Sequence, residues 1–207
     1  MSTLLVLDTS PRKDAVSRRL TQTFIAQWRV QNPGGTVLHQ DIGAEPLDHL
    51  DDELIDALRR NPSNLSQRQK DAVAASDIMI DQLQQADMIV IGAPMHNFTI
   101  SGAFRTWIDH IARPGKTFGY DPETGPHGLV KDKPVYVLST RGGNYGEGDP
   151  NNPHPADFQS DYLRHILRFI GIENVRIIAA NAMDMGDVPR AEGLAAAETK
   201  IEAAFAA

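Results

Sequence analysis

The chain has 207 residues, 41% of them hydrophobic, no cysteine and a formal net charge of -7. That length and apolar content suit one domain, 1–207, with a full core, and the missing cysteines exclude disulfides, thiolate nucleophiles and cysteine-based zinc sites. The acidic balance argues against a general nucleic-acid binder, and no stretch resembles a secretory signal or reaches the ~18 apolar residues of a membrane span, so the expectation is a soluble, cytoplasmic protein.

Leu4-Leu5-Val6-Leu7 reads as a buried strand that empties into Asp8-Thr9-Ser10-Pro11 and a polar loop. Ser17 suits the cap of the helix that follows, whose apolar positions Leu20, Phe24, Ile25 and Trp28 keep helical spacing up to Asn32-Pro33-Gly34-Gly35. Thr36 to Asp41 reads as a short edge strand. From Ile42 to Asn64 the chain wanders, with Pro46 and Pro62 bracketing a short helix through Leu54, Ile55 and Leu58. A longer helix spans Ser66 to Gln85 and feeds the apolar strand Met88 to Ile91.

That strand is expected to end at Gly92-Ala93-Pro94, because proline has no N–H for a ladder. A polar turn, Met95-His96-Asn97-Phe98, leads to a helix opened by Ser101-Gly102 and running to Ile111. Thr117 to Tyr120 and Gly128 to Val130 flank a turn-rich segment that reads as a hairpin or lid outside the sheet. Val135 to Ser139 is the next strand, and it empties into Thr140-Arg141-Gly142-Gly143 and a long loop rich in glycine and proline. A loop of that length in a small domain usually serves a site or an interface. A helix from Tyr162 to Ile170, a strand from Val175 to Ala179 and a closing helix from Glu192 to Ala206 complete the chain, without internal repeats.

This alternation implies right-handed crossovers and a doubly wound α/β fold with a five-stranded parallel sheet. In the order 2-1-3-4-5 the switch point lies between strands 1 and 3, and the loops after Leu7, Ile91 and Leu138 converge on one crevice. The Ser10–Ser17 loop then fits either an anion cradle at a helix N-terminus or a plain cap. Pro94 to Phe98 fits the edge of a planar heterocycle, or else an ordinary turn with Phe98 tucked into the core. Gly142 and Gly143 let backbone N–H groups approach a ligand closely, or serve a flexible turn. Neither a G-x-G-x-x-G fingerprint nor a P-loop occurs. A G-x-S-x-G elbow and an H-x-x-x-H pair are also missing, so hydrolase and metal-dependent readings find no support; His110 is expected at a surface or at the core's edge.

Taken together, P-M-x-N-F at Pro94, G-A-F-R-T-W-I-D at Gly102, T-F-x-Y with G-P-x-G-L across residues 117–129, R-G-G at Arg141 and Y-L-R-x-I-L-x-F-I-G-I-E-N-V at Tyr162 are specific. In these segments the chain resembles the FMN-dependent NADH azoreductase and NADH:quinone oxidoreductase family. The resemblance implies a flavodoxin-like fold, bound FMN, NADH or NADPH as reductant and a quinone or azo compound as a flat aromatic acceptor, reduced by ping-pong hydride transfer. It also implies a homodimer with active sites at the interface; Phe118 and Tyr120 on the lid are candidates to stack against the acceptor, from their own or the partner subunit, or else pack within their own hairpin. By this likeness Ser10, Ala15, Val16 and Ser17 hold the phosphate, Met95, His96, Asn97 and Phe98 meet the isoalloxazine, and Thr140, Arg141, Gly142 and Gly143 line its pyrimidine end. No side chain is expected to act as an essential acid or base. Two positions depart from the family pattern: Ala15 replaces the first serine of S-x-S, and His96 stands where tyrosine is usual. A flavodoxin-type electron carrier is the alternative reading.

Overall fold

The inner strands are apolar without alternation because helices cover both faces of the sheet. A computed structural model describes residues 1–60 and 63–206 of the chain; Pro62, expected to bracket the short helix, lies outside the described residues. The main sheet contains β1 (Thr3–Asp8), β2 (Thr36–Asp41), β3 (Met88–Pro94), β6 (Val135–Thr140) and β7 (Val175–Ala180), all parallel, in the order β2-β1-β3-β6-β7. This is the doubly wound order expected, with the switch point between β1 and β3 and with β2 at one edge. A separate antiparallel hairpin, β4 (Phe118–Asp121) and β5 (Gly125–Gly128), stands outside the sheet as expected, though its second strand starts inside the expected turn rather than at Gly128.

Successive side chains of each strand face opposite layers. Leu4 and Val6 of β1, Val90 of β3 and Leu138 of β6 pack with α1 (Val16–Gln31) and α6 (Asp187–Ala203). Leu5, Leu7, Ile89, Ile91 and Val137 pack on the other face with α3 (Gln67–Gln85), α4 (Gly102–Ile111) and α5 (Phe158–Ile170). Between β2 and α3 a one-turn helix, α2 (Asp52–Ile55), runs directly into a π turn, Asp56–Arg60. Gln40 ties the edge strand down, accepting from Trp107 Nε1 at 2.6 Å and donating to Gln82 at 2.7 Å. Among the described residues no helix is long and apolar enough to cross a membrane.

Several element boundaries differ from the sequence reading, each for a local reason. β3 continues through Gly92 and Ala93 to Pro94, which pairs with Thr140. Ile89 and Met95 send their N–H groups toward the β6 side, so the N–H that Pro94 lacks would face β1, and β1 ends opposite Gly92. The missing donor therefore costs no ladder bond. Ser17 does not cap α1; Ala15 is the N-cap and contributes no side-chain bond, leaving Ser17 inside the first turn. α5 starts four residues before Tyr162, because the Asp157 carboxylate accepts from the Ser160 N–H and fixes a polar first turn that apolar periodicity misses. α6 starts at Asp187 and holds Pro189 in its first turn, where no intrahelical N–H is needed.

Candidate active site at the convergence of three strand exits

β1, β3 and β6 end on the same side of the sheet, and their exits line a cleft of about 310 Å³. From the first exit come Ser10, Ala15 and Val16, from the second Met95 and His96, and from the third Thr140, Arg141 and Gly142. Ser17, Asn97, Phe98 and Gly143 are chain neighbours of these residues and stand just outside the wall. The sequence reading included Arg12, Asp14 and Pro94 in its candidate loops without giving them a role, and it missed a fourth wall made by Met183, Asp184 and Arg190 from the β7–α6 turn. Gly186 and Pro189 mark that turn in the sequence, but the loop carries none of the glycine-serine enrichment of the other exits.

The first exit is a set of donors without acceptors. Among the described residues, the N–H groups of Val16 and Ser17 bond to no protein oxygen, as expected for an uncapped first turn. The Ser17 side chain is fully buried and its Oγ has no partner. A buried hydroxyl without a hydrogen bond costs about 1–3 kcal/mol, so such a group in a native fold calls for a partner from outside the chain, a water or a ligand. Free helix N–H groups, the positive end of the α1 dipole and an unpartnered hydroxyl behind them together fit an anion. Gly92 is needed here, because a Cβ on it would come within 2.9 Å of Asp8 Oδ1 and 3.2 Å of the Ser17 carbonyl oxygen.

The second exit is a tight turn in which the His96 and Thr99 backbones exchange hydrogen bonds at 2.9 and 3.0 Å. Asn97 (φ 47°) and Phe98 (φ 69°) occupy its two central positions, the left-handed pair of a type I′ turn. Asparagine tolerates that conformation, whereas an aromatic residue there is strained, and such strain clusters at ligand sites. Phe98 is not tucked into the core: it is about half exposed and meets the Tyr145 ring edge-on at 5.8 Å. Ser101 links this exit to the first by donating to the Thr9 carbonyl at 2.9 Å while its Oγ caps α4.

At the third exit the Arg141 side chain turns inward, away from the cleft that its backbone lines. Its guanidinium is fully buried, lies 2.9 Å from Asp157 Oδ2, and donates to Ser139 Oγ, Ser160 Oγ and the carbonyls of Tyr145 and Gly146. Burial pulls the Arg141 pKa down against the opposing effect of Asp157, which raises it. Ser139 Oγ donates to Gln159, whose amide reaches the Ala93 and Pro94 carbonyls, so one buried network braces two exits. Arg141 also uses its backbone N–H and carbonyl internally, bonding to Ala180 and Met183. The N–H groups of Gly142 and Gly143 find no acceptor among the described residues and are the open donors of this end.

Elsewhere, His110 is buried rather than at the surface, with Nε2 donating to the Asp48 carbonyl at 2.9 Å. Phe118 packs on Phe169 of α5 with ring centroids 4.6 Å apart, while Tyr120 on the same hairpin projects into solvent.

Comparison with known proteins gives one consistent result. The family model described as a flavodoxin-like fold matches residues 2–205. The chain is 42% identical over 202 residues to the FMN-dependent NADH:quinone oxidoreductase of Azospirillum brasilense, covering 97% of this chain and 96% of the relative. It is 39% identical to the FMN-dependent NADH:quinone oxidoreductase 2 of Pseudomonas fluorescens (strain Pf0-1), covering 97% and 98%. Among solved structures, an azoreductase from Bacillus anthracis superposes with a TM-score of 0.85 at 28% identity, covering 99% of each chain.

Proposed function

The chain belongs to the flavodoxin-like fold family, and from that premise we propose that it is an FMN-dependent oxidoreductase passing electrons from NADH to quinones and azo compounds. The observation that carries this reading is the single cleft where three strand exits meet, with unpartnered donors at both of its ends. The residues present fit the cofactor. Ser10, the first-turn N–H groups of Val16 and Ser17, and the Ser17 hydroxyl would hold the phosphate. Met95, His96, Asn97 and Phe98 would meet the isoalloxazine, and the N–H groups of Gly142 and Gly143 its pyrimidine end. FMN, when bound, supplies the two-electron hydride chemistry, which no side chain of the cleft can perform alone.

The protein's contribution is positioning and electrostatics. Fixed N–H donors at Gly142 and Gly143 stabilise negative charge that develops beside them, without reorganising during reaction. Phe98 and Tyr145, in edge-on contact beside the cleft, would offer an apolar surface to a flat, electron-poor acceptor. Protons come from solvent, and no residue of the cleft is assigned as an obligatory acid or base. Reductant and acceptor use the same cleft in turn, which gives ping-pong kinetics. Two copies assemble as a homodimer in the cytoplasm, with Tyr120 on the exposed hairpin available to the neighbouring cleft.

The test is a visible absorption spectrum of the purified protein with and without added FMN, followed by anaerobic mixing with NADH. A flavin spectrum that bleaches rapidly, and parallel double-reciprocal plots with a quinone, are the expected results. A protein that binds FMN but is not reduced by NADH is an electron carrier, and that result overturns the enzyme reading.

A further inference from the structure

Arg18, in the first turn of α1, does not offer its guanidinium to the cleft. Nε donates to the Arg12 carbonyl at 2.9 Å and Nη2 to the Ser10 carbonyl at 2.8 Å. Nη1 and Nη2 also engage both Asp41 oxygens, at 2.5 and 2.6 Å, in the bidentate geometry that makes such pairs strong. Four donors are thereby directed at protein oxygens, and the side chain is only 16% exposed. Asp41 ends β2, and its carboxyl is held below the usual carboxylate range chiefly by the Arg18 hydrogen bond.

A second observation places the β2 exit against the same turn. A Cβ on Gly43 would lie 2.0 Å from the Ser10 carbonyl oxygen, so the two backbones touch where only glycine fits. The Gly43 N–H donates to the Asp8 carbonyl at 3.2 Å. In a trans peptide the carbonyl and the following N–H point in opposite directions. Fixing the Arg12 carbonyl on the guanidinium therefore turns the Lys13 N–H away from Arg18, and fixing Ser10 sets the chain that carries its hydroxyl into the cleft. Arg12 itself is tied back, its N–H donating to Ser10 Oγ at 3.2 Å.

We propose that Arg18, held by Asp41, is a positioning residue that shapes the anion turn from behind and so sets how strongly the cleft prefers a phosphorylated flavin to the same ring without phosphate. This rests on the FMN reading and adds to it residues that touch no ligand. A bond that merely stapled β2 to α1 would, when broken, weaken both flavins alike. A bond that shapes the anion turn weakens only the flavin that carries the anion.

The experiment measures FMN and riboflavin affinities by flavin fluorescence quenching on flavin-stripped full-length protein, for wild type, Arg18→Gln and Asp41→Asn. Arg18→Gln is expected to lower FMN affinity about tenfold and riboflavin affinity less than about twofold, a tenfold change being ~1.4 kcal/mol. Asp41→Asn, which leaves the guanidinium in place, shifts the ratio the same way by a smaller factor. If Arg18→Gln does not fold, Arg18→Lys, which keeps the charge and loses the fork, carries the same comparison. Equal losses for both flavins, or an unchanged FMN affinity, overturn the positioning role. A wild-type protein that binds neither flavin overturns the FMN reading and this inference with it.

Discussion

At the β1 exit the cleft presents groups without partners: two helix N–H groups and a fully buried Ser17 hydroxyl. At the β6 exit the situation is reversed, since the buried Arg141 guanidinium bonds to two hydroxyls, two carbonyls and Asp157, while the Gly142 and Gly143 N–H groups stay open among the described residues. The first end is kept in shape from outside by the partly exposed Arg18–Asp41 pair, the second from inside by a pair that water does not reach. Bonds left open at the first end can be gained on binding an anion. Bonds closed at the second hold the turn in one conformation before any ligand arrives.

That contrast says where each end is vulnerable. The largest effect is expected from Asp157→Ala, which leaves Arg141 as an uncompensated buried charge and removes the α5 cap. Breaking a buried pair in this way costs about 3–5 kcal/mol. For a chain of this size the melting temperature should fall on the order of 10 °C, with or without FMN, as read by thermal denaturation. A variant that melts like wild type would remove the distinction between the two ends.

Ser17→Ala probes the opposite end and should give effects of opposite sign. Removing an unpartnered buried hydroxyl should leave the flavin-free protein at least as stable as wild type, while FMN affinity falls about tenfold or more, since a bond to a charged group is worth ~1.5–3 kcal/mol. Titration with FMN beside a melting curve of the stripped protein measures both. A loss of stability without a loss of affinity would mean that the hydroxyl serves the fold.

The smallest effect concerns the outer bracing of the β1 end. His39 Nε2 lies 2.9 Å from Asp8 Oδ2, and that carboxylate raises the imidazole pKa above its ordinary 6.5. A raised folded-state pKa contributes stability that is complete below about pH 6.5 and is lost as pH climbs through the folded value. With the side chain 43% exposed, solvent screening holds the contribution to a few tenths of a kcal/mol. Melting curves between pH 6 and 8 should show a slight decline for wild type that His39→Gln removes; identical slopes would sink the coupling.

Much of this was readable from residue order. Apolar runs marked four strands of the main sheet, the short polar Thr36–Asp41 read as an edge strand and stands at the edge, and glycine, serine and proline flagged the three exits that meet. The misreadings came from applying local rules without neighbours. Proline was expected to stop β3, but the strand that would have needed its N–H had already ended. Ser17 has the residue type of a cap and sits two residues past the N-cap, Ala15. Arg141 does line the cleft through its backbone, but no local pattern showed that its charge turns inward to Asp157.

The sequence by itself determined which segments are strands and helices and where the chain leaves the sheet, because those follow from side-chain periodicity and backbone sterics within a few residues. Only the tertiary structure decided which polar groups are matched and which are left open. Arg18 meets Asp41 across 23 positions and Thr9 takes its bond from Ser101 across 92, while the cleft's fourth wall comes from a turn near the chain's end. Such pairings depend on which side chains packing brings within about 3 Å, and no local pattern encodes that distance.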